Sequence, residues 1–334
     1  MAGDILKLMI LKRYPGNPIL AKNLKNHWEA GSVLNPSVLH DDGIFRMAYR
    51  ATNDVRTNED GGYISSIGYA ESTDGIYFTR SSKPLIAPDQ PYELNGGCED
   101  GRVTKIGDTY FLYYTACRVI NGNWDVRIAL ATSTDFKKWK KHGIVGPHHA
   151  TSKAACLFPE KIDGKYAMLY TWMSDSPLSS IMLAQFDTVE DVMKPPKGFM
   201  AENIDRYEEN VVFQPPEPVY RGAEVGAVPI KTKDGWLLIY CNANTSDHPE
   251  WTVSAALLDL HNPRKILAQT TEPILRPETK AELHGVVNQV TFPEGAVIVD
   301  DELYVYYGSG DQGVCLATCK VATLMKYLTS KKQK

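Results

Sequence analysis

Glu99-Asp100-Gly101-Arg102-Val103, then Gly107-Asp108, then Tyr110-Phe111-Leu112-Tyr113-Tyr114 reads as a strand, a tight turn and a second strand, and the chain writes this unit five times. The first copy is Asn35-Pro36-Ser37-Val38-Leu39, Asp42-Gly43 and Phe45-Arg46-Met47-Ala48-Tyr49-Arg50. The third is Phe158-Pro159-Glu160-Lys161-Ile162, Asp163-Gly164 and Lys165-Tyr166-Ala167-Met168-Leu169-Tyr170. Glu224-Val225-Gly226, Asp234-Gly235 and Trp236-Leu237-Leu238-Ile239-Tyr240 form the fourth. Pro293-Glu294-Gly295-Ala296-Val297, Asp300-Asp301 and Leu303-Tyr304-Val305-Tyr306-Tyr307 form the fifth. The central turns fall at Gly43, Gly107, Gly164, Gly235 and Asp301, about 65 residues apart. Asp-Gly between apolar runs is a strong hairpin signal, and a third strand with small residues follows most copies, as in Ser66-Ile67-Gly68-Tyr69-Ala70.

Strand-only units of this length predict an all-β fold, a five-bladed β-propeller of four-stranded blades forming one domain over residues 1–334. Leu11 to Leu20 is expected to add an outer strand to the last blade and so close the ring. A pair of β-sandwiches is the alternative, but it does not account for the recurrence. Lys194 to Arg221, rich in Pro and acidic residues, reads as a long connection, and helical pattern is scarce outside Val321 to Leu328.

Composition agrees with a globular β protein. Of 334 residues, 43% are hydrophobic and 23% charged, which excludes disorder, collagen and coiled coil. The 18 Tyr and 20 Pro favour strands joined by loops. Lys plus Arg number 36 against 40 Asp plus Glu, a net charge of −4 that draws the chain to neither nucleic acid nor an anionic membrane. No stretch approaches the ~20 apolar residues of a membrane span. Leu6 to Leu11 is too short for a signal-peptide core, so the chain reads as cytoplasmic. The basic run Lys331-Lys332-Gln333-Lys334 reads as a solvated tail. Six cysteines without a Cys-x-x-Cys read as buried free thiols. Self-association is left open.

Two motifs are set aside. Gly308-Ser309-Gly310-Asp311-Gln312-Gly313 matches the dinucleotide fingerprint, but Val314-Cys315-Leu316-Ala317-Thr318 after it is a strand, whereas the fingerprint needs a helix. His148-His149 on a strand would point to opposite faces and hold no metal. What remains are polar residues at corresponding places of the repeat: Asn35, Asp100, Lys153, Glu224 and Asp311. Carboxylates gathered from distant units suit glycosidic chemistry, where one acid protonates the leaving oxygen and another carboxylate activates water.

Cys98-Glu99-Asp100-Gly101-Arg102-Val103 resembles the Glu-Asp-Pro-Arg motif of glycoside hydrolase family 130, five-bladed propeller enzymes acting on β-mannosides. Asn35 with Phe45 to Ala51, Lys153-Ala154-Ala155 with Phe158-Pro159-Glu160-Lys161, Gly235 to Tyr240, and Tyr306-Tyr307-Gly308 to Asp311 look like further family blocks in family order. The resemblance implies Asp100 as the general acid, with no metal or organic cofactor. Asn35, Arg50, Arg102, Lys153 and Asp311 are expected to hold sugar hydroxyls, and Trp172 or Tyr114 to stack on a pyranose face.

The family includes phosphorylases and hydrolases. Its phosphorylases typically carry an arginine where this chain reads Tyr170-Thr171-Trp172-Met173 and a histidine where it reads Tyr240-Cys241-Asn242. Glu224 would add a carboxylate that repels phosphate. The expectation is therefore an inverting hydrolase of β-linked mannosides, β-1,2-manno-oligosaccharides foremost, with Glu224 as first candidate for the base and Glu282 as second. The alternatives are a phosphorylase releasing mannose 1-phosphate, for which inorganic phosphate is a co-substrate, and a non-catalytic sugar-binding propeller.

Overall fold

In a computed structural model, the described residues are 9–54, 62–148, 150–173, 178–214, 222–244 and 249–330. The basic tail, His149 and the end of the Lys194–Arg221 connection lie outside them.

Strands dominate. From the N-terminus come the two-residue strands β1 (Lys12–Arg13) and β2 (Leu20–Ala21). A first antiparallel group follows: β3 (Ser32–Asp41), β4 (Ile44–Thr52), β5 (Ser65–Ser72) and β6 (Thr79–Arg80). The second holds β7 (Asn95–Ile106), β8 (Thr109–Ile120), β9 (Asn123–Ser133) and β10 (Lys140–Ile144). The third holds β11 (Ser152–Leu157), β12 (Tyr166–Met173), β13 (Ser179–Phe186) and β14 (Val211–Phe213). The fourth is β15 (Gly222–Glu224), β16 (Ile230–Thr232), β17 (Gly235–Asn244), β18 (Glu250–Leu258) and β19 (Ile266–Gln269). The last is β20 (Thr291–Val299), β21 (Glu302–Ser309) and β22 (Gly313–Lys320).

The expected outer strand from the N-terminus is present: Lys12 pairs with Thr318 and Leu20 with Val314, both on β22. Five separate blades are not what the hydrogen bonding draws. It joins the strands into three sheets, none closed, because single parallel bridges at Ser65–Gly97 and Ser179–Gly222 fuse neighbouring groups.

The turns obey their chemistry. Asp42-Gly43, Asp163-Gly164 and Asp300-Asp301 all have positive φ at both positions, the geometry whose twist matches flanking antiparallel strands. Period-two alternation then sends side chains to opposite faces of each group. Leu237 and Ile239 pack with Val305, Tyr307, Cys315 and Ala317 of the last group, whereas Trp236 and Leu238 pack with Leu169 and Leu183 of the third. Comparable clusters lie between the first and second groups and between the second and third, and Met47, Tyr49, Tyr306 and Leu316 join the first group to the last.

Three short helices that the sequence pattern did not announce follow β13: α1 (Val189–Met193) just before the long connection, and α2 (Phe199–Asp205) and α3 (Tyr207–Asn210) within it. After α4 (Lys280–Leu283), the C-terminal α5 (Val321–Ser330) begins where expected and buries Leu324 and Leu328, one turn apart, against the last group. The glycine-rich match is a strand–turn–strand hairpin, as read, and all six cysteines are free and buried. Burial pushes the thiols of Cys156 and Cys315 up to about 12, far from nucleophile range.

Candidate active site

The first strands of four groups share a deviation. Register slips between Leu34 and Pro36 on β3, between Glu99 and Arg102 on β7, between Lys153 and Cys156 on β11, and between Pro293 and Gly295 on β20. A bulge takes a residue out of the ladder and re-aims its side chain. Asn35, Asp100 and Ala154 at three of these bulges are left-handed, with φ of 47, 52 and 51°. Asn and Asp tolerate that region better than most residues, which suits them to such places.

The bulges gather the polar residues. Asn35 Nδ2 donates to Asp100 Oδ1 at 2.9 Å, and the Arg50 guanidinium reaches the same oxygen at 3.4 Å. Arg50 also holds Glu99 at 2.6 Å, the Ser65 hydroxyl at 3.3 Å and the Tyr63 hydroxyl at 2.8 Å. Beside this set, Lys153 Nζ lies 2.8 Å from the Glu224 carboxylate. Gly308 makes room for Asn35, since a Cβ there would stand 2.2 Å from its side-chain oxygen. Asp311 shares with Arg50 and Tyr63 the wall of a cavity of about 460 Å³, which Ser32, Asp54 and Val286 also line.

Electrostatics divide the carboxylates. Burial alone would raise Asp100, but Arg50, Arg102, the Asn35 amide and Lys153 outweigh it and hold Asp100 below its ordinary value. Asp311 goes the other way: burial, then the charges of Asp100 and Glu224, raise it against Arg50 and Lys153. Glu99 is likewise raised by burial and by Asp100.

Four expected residues are placed differently from their expected roles. Arg102 is fully buried; it donates to the backbone oxygens of Asp100, Val225 and Gly226 at 2.8, 2.9 and 3.1 Å and pairs with Glu294 at 3.0 Å. It braces the bulge from beneath and does not face a ligand. Tyr114 is buried, its hydroxyl donating to Glu93 at 2.7 Å, so its ring offers no open face. Trp172 tilts against Tyr207 with centroids 5.6 Å apart. Glu282 receives two hydrogen bonds from Arg13, one from the Tyr307 hydroxyl at 2.8 Å and two from the backbone of Glu278 and Thr279. It ties the N-terminal strand to α4, and no lone pair is left for a water. Glu282→Ala is expected to lose about 1–3 kcal/mol of stability, because Arg13 retains solvent contact, with kcat of the folded protein unchanged. Denaturant melts and steady-state rates check this. Since the partners hold the Glu282 carboxyl below its ordinary value, its contribution is present above the usual glutamate range and lost as pH falls through the lowered pKa.

Glu99, Glu294 and Tyr63 were not singled out from the sequence. Glu294 could have been: Pro293-Glu294-Gly295 occupies in the fifth copy the place of Glu99-Asp100-Gly101 in the second.

A family model described as beta-1,4-mannooligosaccharide phosphorylase, that of glycoside hydrolase family 130, matches residues 10–330. The chain belongs to this family. It is 38% identical over 309 residues to the 1,2-beta-oligomannan phosphorylase of Thermoanaerobacter sp. (strain X514), covering 92% of this chain and 96% of that protein. It is 35% identical to the beta-1,2-mannobiose phosphorylase of the same organism, with the same coverage of both chains. Among solved structures, the beta-1,2-mannobiose phosphorylase from Listeria innocua in complex with beta-1,2-mannobiose superposes with a TM-score of 0.79 at 25% identity, covering 97% of this chain and 100% of that one.

These relatives overturn the expectation of a hydrolase: the two proteins 38% and 35% identical to this chain over nine-tenths of its length are both phosphorylases. The argument from Glu224 fails for a physical reason. Its carboxylate is 1% exposed and ion-paired with Lys153, so it does not stand as an uncompensated charge against phosphate or as an open base. Among the described residues no group of three His, Cys, Asp or Glu is set to hold a metal, and no helix is long and apolar enough to cross a membrane.

Proposed function

We propose that this protein is an inverting phosphorylase of β-1,2-linked manno-oligosaccharides, built as a five-bladed β-propeller with the bulged first strands around its axis. The observation that carries the reading is the juncture of Asn35, Arg50, Asp100, Lys153 and Glu224 beside those bulges, in a chain 38% and 35% identical over nine-tenths of its length to two phosphorylases. The apolar clusters between successive antiparallel groups, the last packing on the first, support the architecture.

In this mechanism Asp100 delivers a proton, directly or through a sugar hydroxyl, to the oxygen of the bond being broken. A phosphate oxygen forms the new bond to the anomeric carbon from the opposite face as the old C–O bond breaks, and mannose 1-phosphate leaves. Arg50 and Lys153 supply the cationic donors for that phosphate, against the carboxylates they pair with in the free protein. Arrival of a dianion draws on the positive charge that holds Asp100 low in the free protein, so the carboxyl gains its proton when the reactants are assembled. Asn35 orients Asp100, and Asp311 takes sugar hydroxyls in the cavity.

Incubation of β-1,2-mannobiose with the protein should release mannose 1-phosphate only when phosphate is present. Lys153→Met should raise the KM for phosphate about tenfold or more, with a smaller effect on the KM for mannoside. Free mannose as the main product, independent of phosphate, would sink the reading.

A further inference from the structure

Of the two aromatics expected to stack on sugar, Tyr114 is buried and Trp172 is half-buried against Tyr207; a more open indole stands elsewhere. Trp124 stands on β9 just past the Asn121-Gly122 turn, opposite Val119, and is 47% exposed. Both turn residues have positive φ, 51 and 76°, so the strands join through a two-residue turn of matched twist that holds the hairpin tip in a defined place.

The Trp124 ring lies 6.0 Å from that of Tyr63, tilted by 52°. Tyr63 accepts the 2.8 Å hydrogen bond from Arg50, whose guanidinium carbon stands 5.3 Å from the ring centre, and it lines the 460 Å³ cavity. An exposed indole is thus one ring away from the cavity that holds Arg50 and Asp311. A cavity of that size encloses a small ligand. The remaining units of a longer chain must leave across the rim. A pyranose presents an apolar C–H face, and tryptophan is the side chain whose broad, electron-rich face suits such a surface in partial contact with water.

We propose that Trp124, backed by Tyr63, is a stacking platform for a mannosyl ring beyond those the cavity encloses, and that it sets a preference for longer oligomannans over mannobiose. The inference rests on the substrate class proposed above. A purely structural role for Trp124, supporting Tyr63 and through it Arg50, would alter short and long substrates alike.

The test compares the wild type, Trp124→Ala and Trp124→Phe in calorimetric binding of β-1,2-mannobiose and β-1,2-mannotetraose, alongside kcat/KM for phosphorolysis of each. Alanine is expected to weaken tetraose binding and kcat/KM roughly three- to tenfold while biose changes by less than about twofold, with phenylalanine recovering part of the loss. Equal losses for both lengths, or none for the tetraose, would overturn the platform. A wild type that shows this length-dependent binding but forms no mannose 1-phosphate would refute the phosphorylase and leave the platform standing. One that binds neither sugar refutes the platform together with the substrate class.

Discussion

Asp100→Asn is expected to lower the rate of mannose 1-phosphate formation about 10²–10⁴-fold, the usual cost of losing a general acid. The fold should survive, because asparagine still accepts the Asn35 amide hydrogen bond and keeps a side chain that tolerates the left-handed bulge, φ 52°. Circular dichroism and a melting curve check the fold; product release under saturating mannoside and phosphate checks the rate. A variant with near wild-type activity would remove Asp100 from the role of acid. The wild type should also show a diagnostic pH dependence. The protonated acid is lost as pH rises through its pKa, and in the free protein Arg50, Arg102 and Lys153 hold that pKa down against burial. With phosphate bound, part of this hold is spent. The falling limb of kcat should therefore lie at higher pH than that of kcat/KM, since the former reports the assembled complex and the latter the free protein.

Arg102→Leu should be the most destabilising single change near the site, by about 3–5 kcal/mol, as when one partner of a buried ion pair is removed. Arg102 and Glu294 are both fully buried, and the guanidinium also satisfies three backbone oxygens around the Asp100 and Gly226 turns. Leucine would leave the carboxylate and those carbonyls unanswered. Arg102→Leu with Glu294→Leu should recover much of the loss, because apolar side chains of comparable size often replace a buried pair at little cost. The sign of the pH dependence follows from Glu294. Burial raises its carboxyl well above the ordinary value even with Arg102 present, so its cost to stability is absent below the usual glutamate pKa and grows as pH rises through the raised one. Without Arg102 that dependence should steepen. Urea melts between acidic and neutral pH measure it, and a single variant as stable as the wild type throughout would show that the pair does not brace the bulge.

Local features of this molecule were legible in the residues themselves. Asp-Gly turns between alternating apolar runs determined the hairpins, and their recurrence determined five antiparallel groups in chain order. The N-terminal residues near Leu11 to Leu20 were recognisable as strand partners for the last group, and Asn35, Asp100, Lys153, Glu224 and Asp311 as polar positions of the repeat. These properties depend on neighbours a few residues away, which the sequence displays directly.

Tertiary structure decided what each polar group became. Lys153 and Glu224 are separated by a whole repeat, Arg102 and Glu294 by most of the chain, and nothing local to any of them announces its partner. Glu224 read alone is a negative charge hostile to phosphate; next to Lys153 it is neutralised. Glu282 read alone is a spare base; in the fold Arg13, Tyr307 and two backbone amides fill its lone pairs. Tyr114 and Trp124 are both aromatic residues of one hairpin, yet the first is buried over Glu93 and the second stands at the rim. The single-residue parallel bridges that fuse five groups into three sheets depend on how neighbouring groups come together, not on any motif. Charge compensation, burial and ligand access are set by which distant atoms lie within a few ångströms, and only the folded chain brings those atoms together.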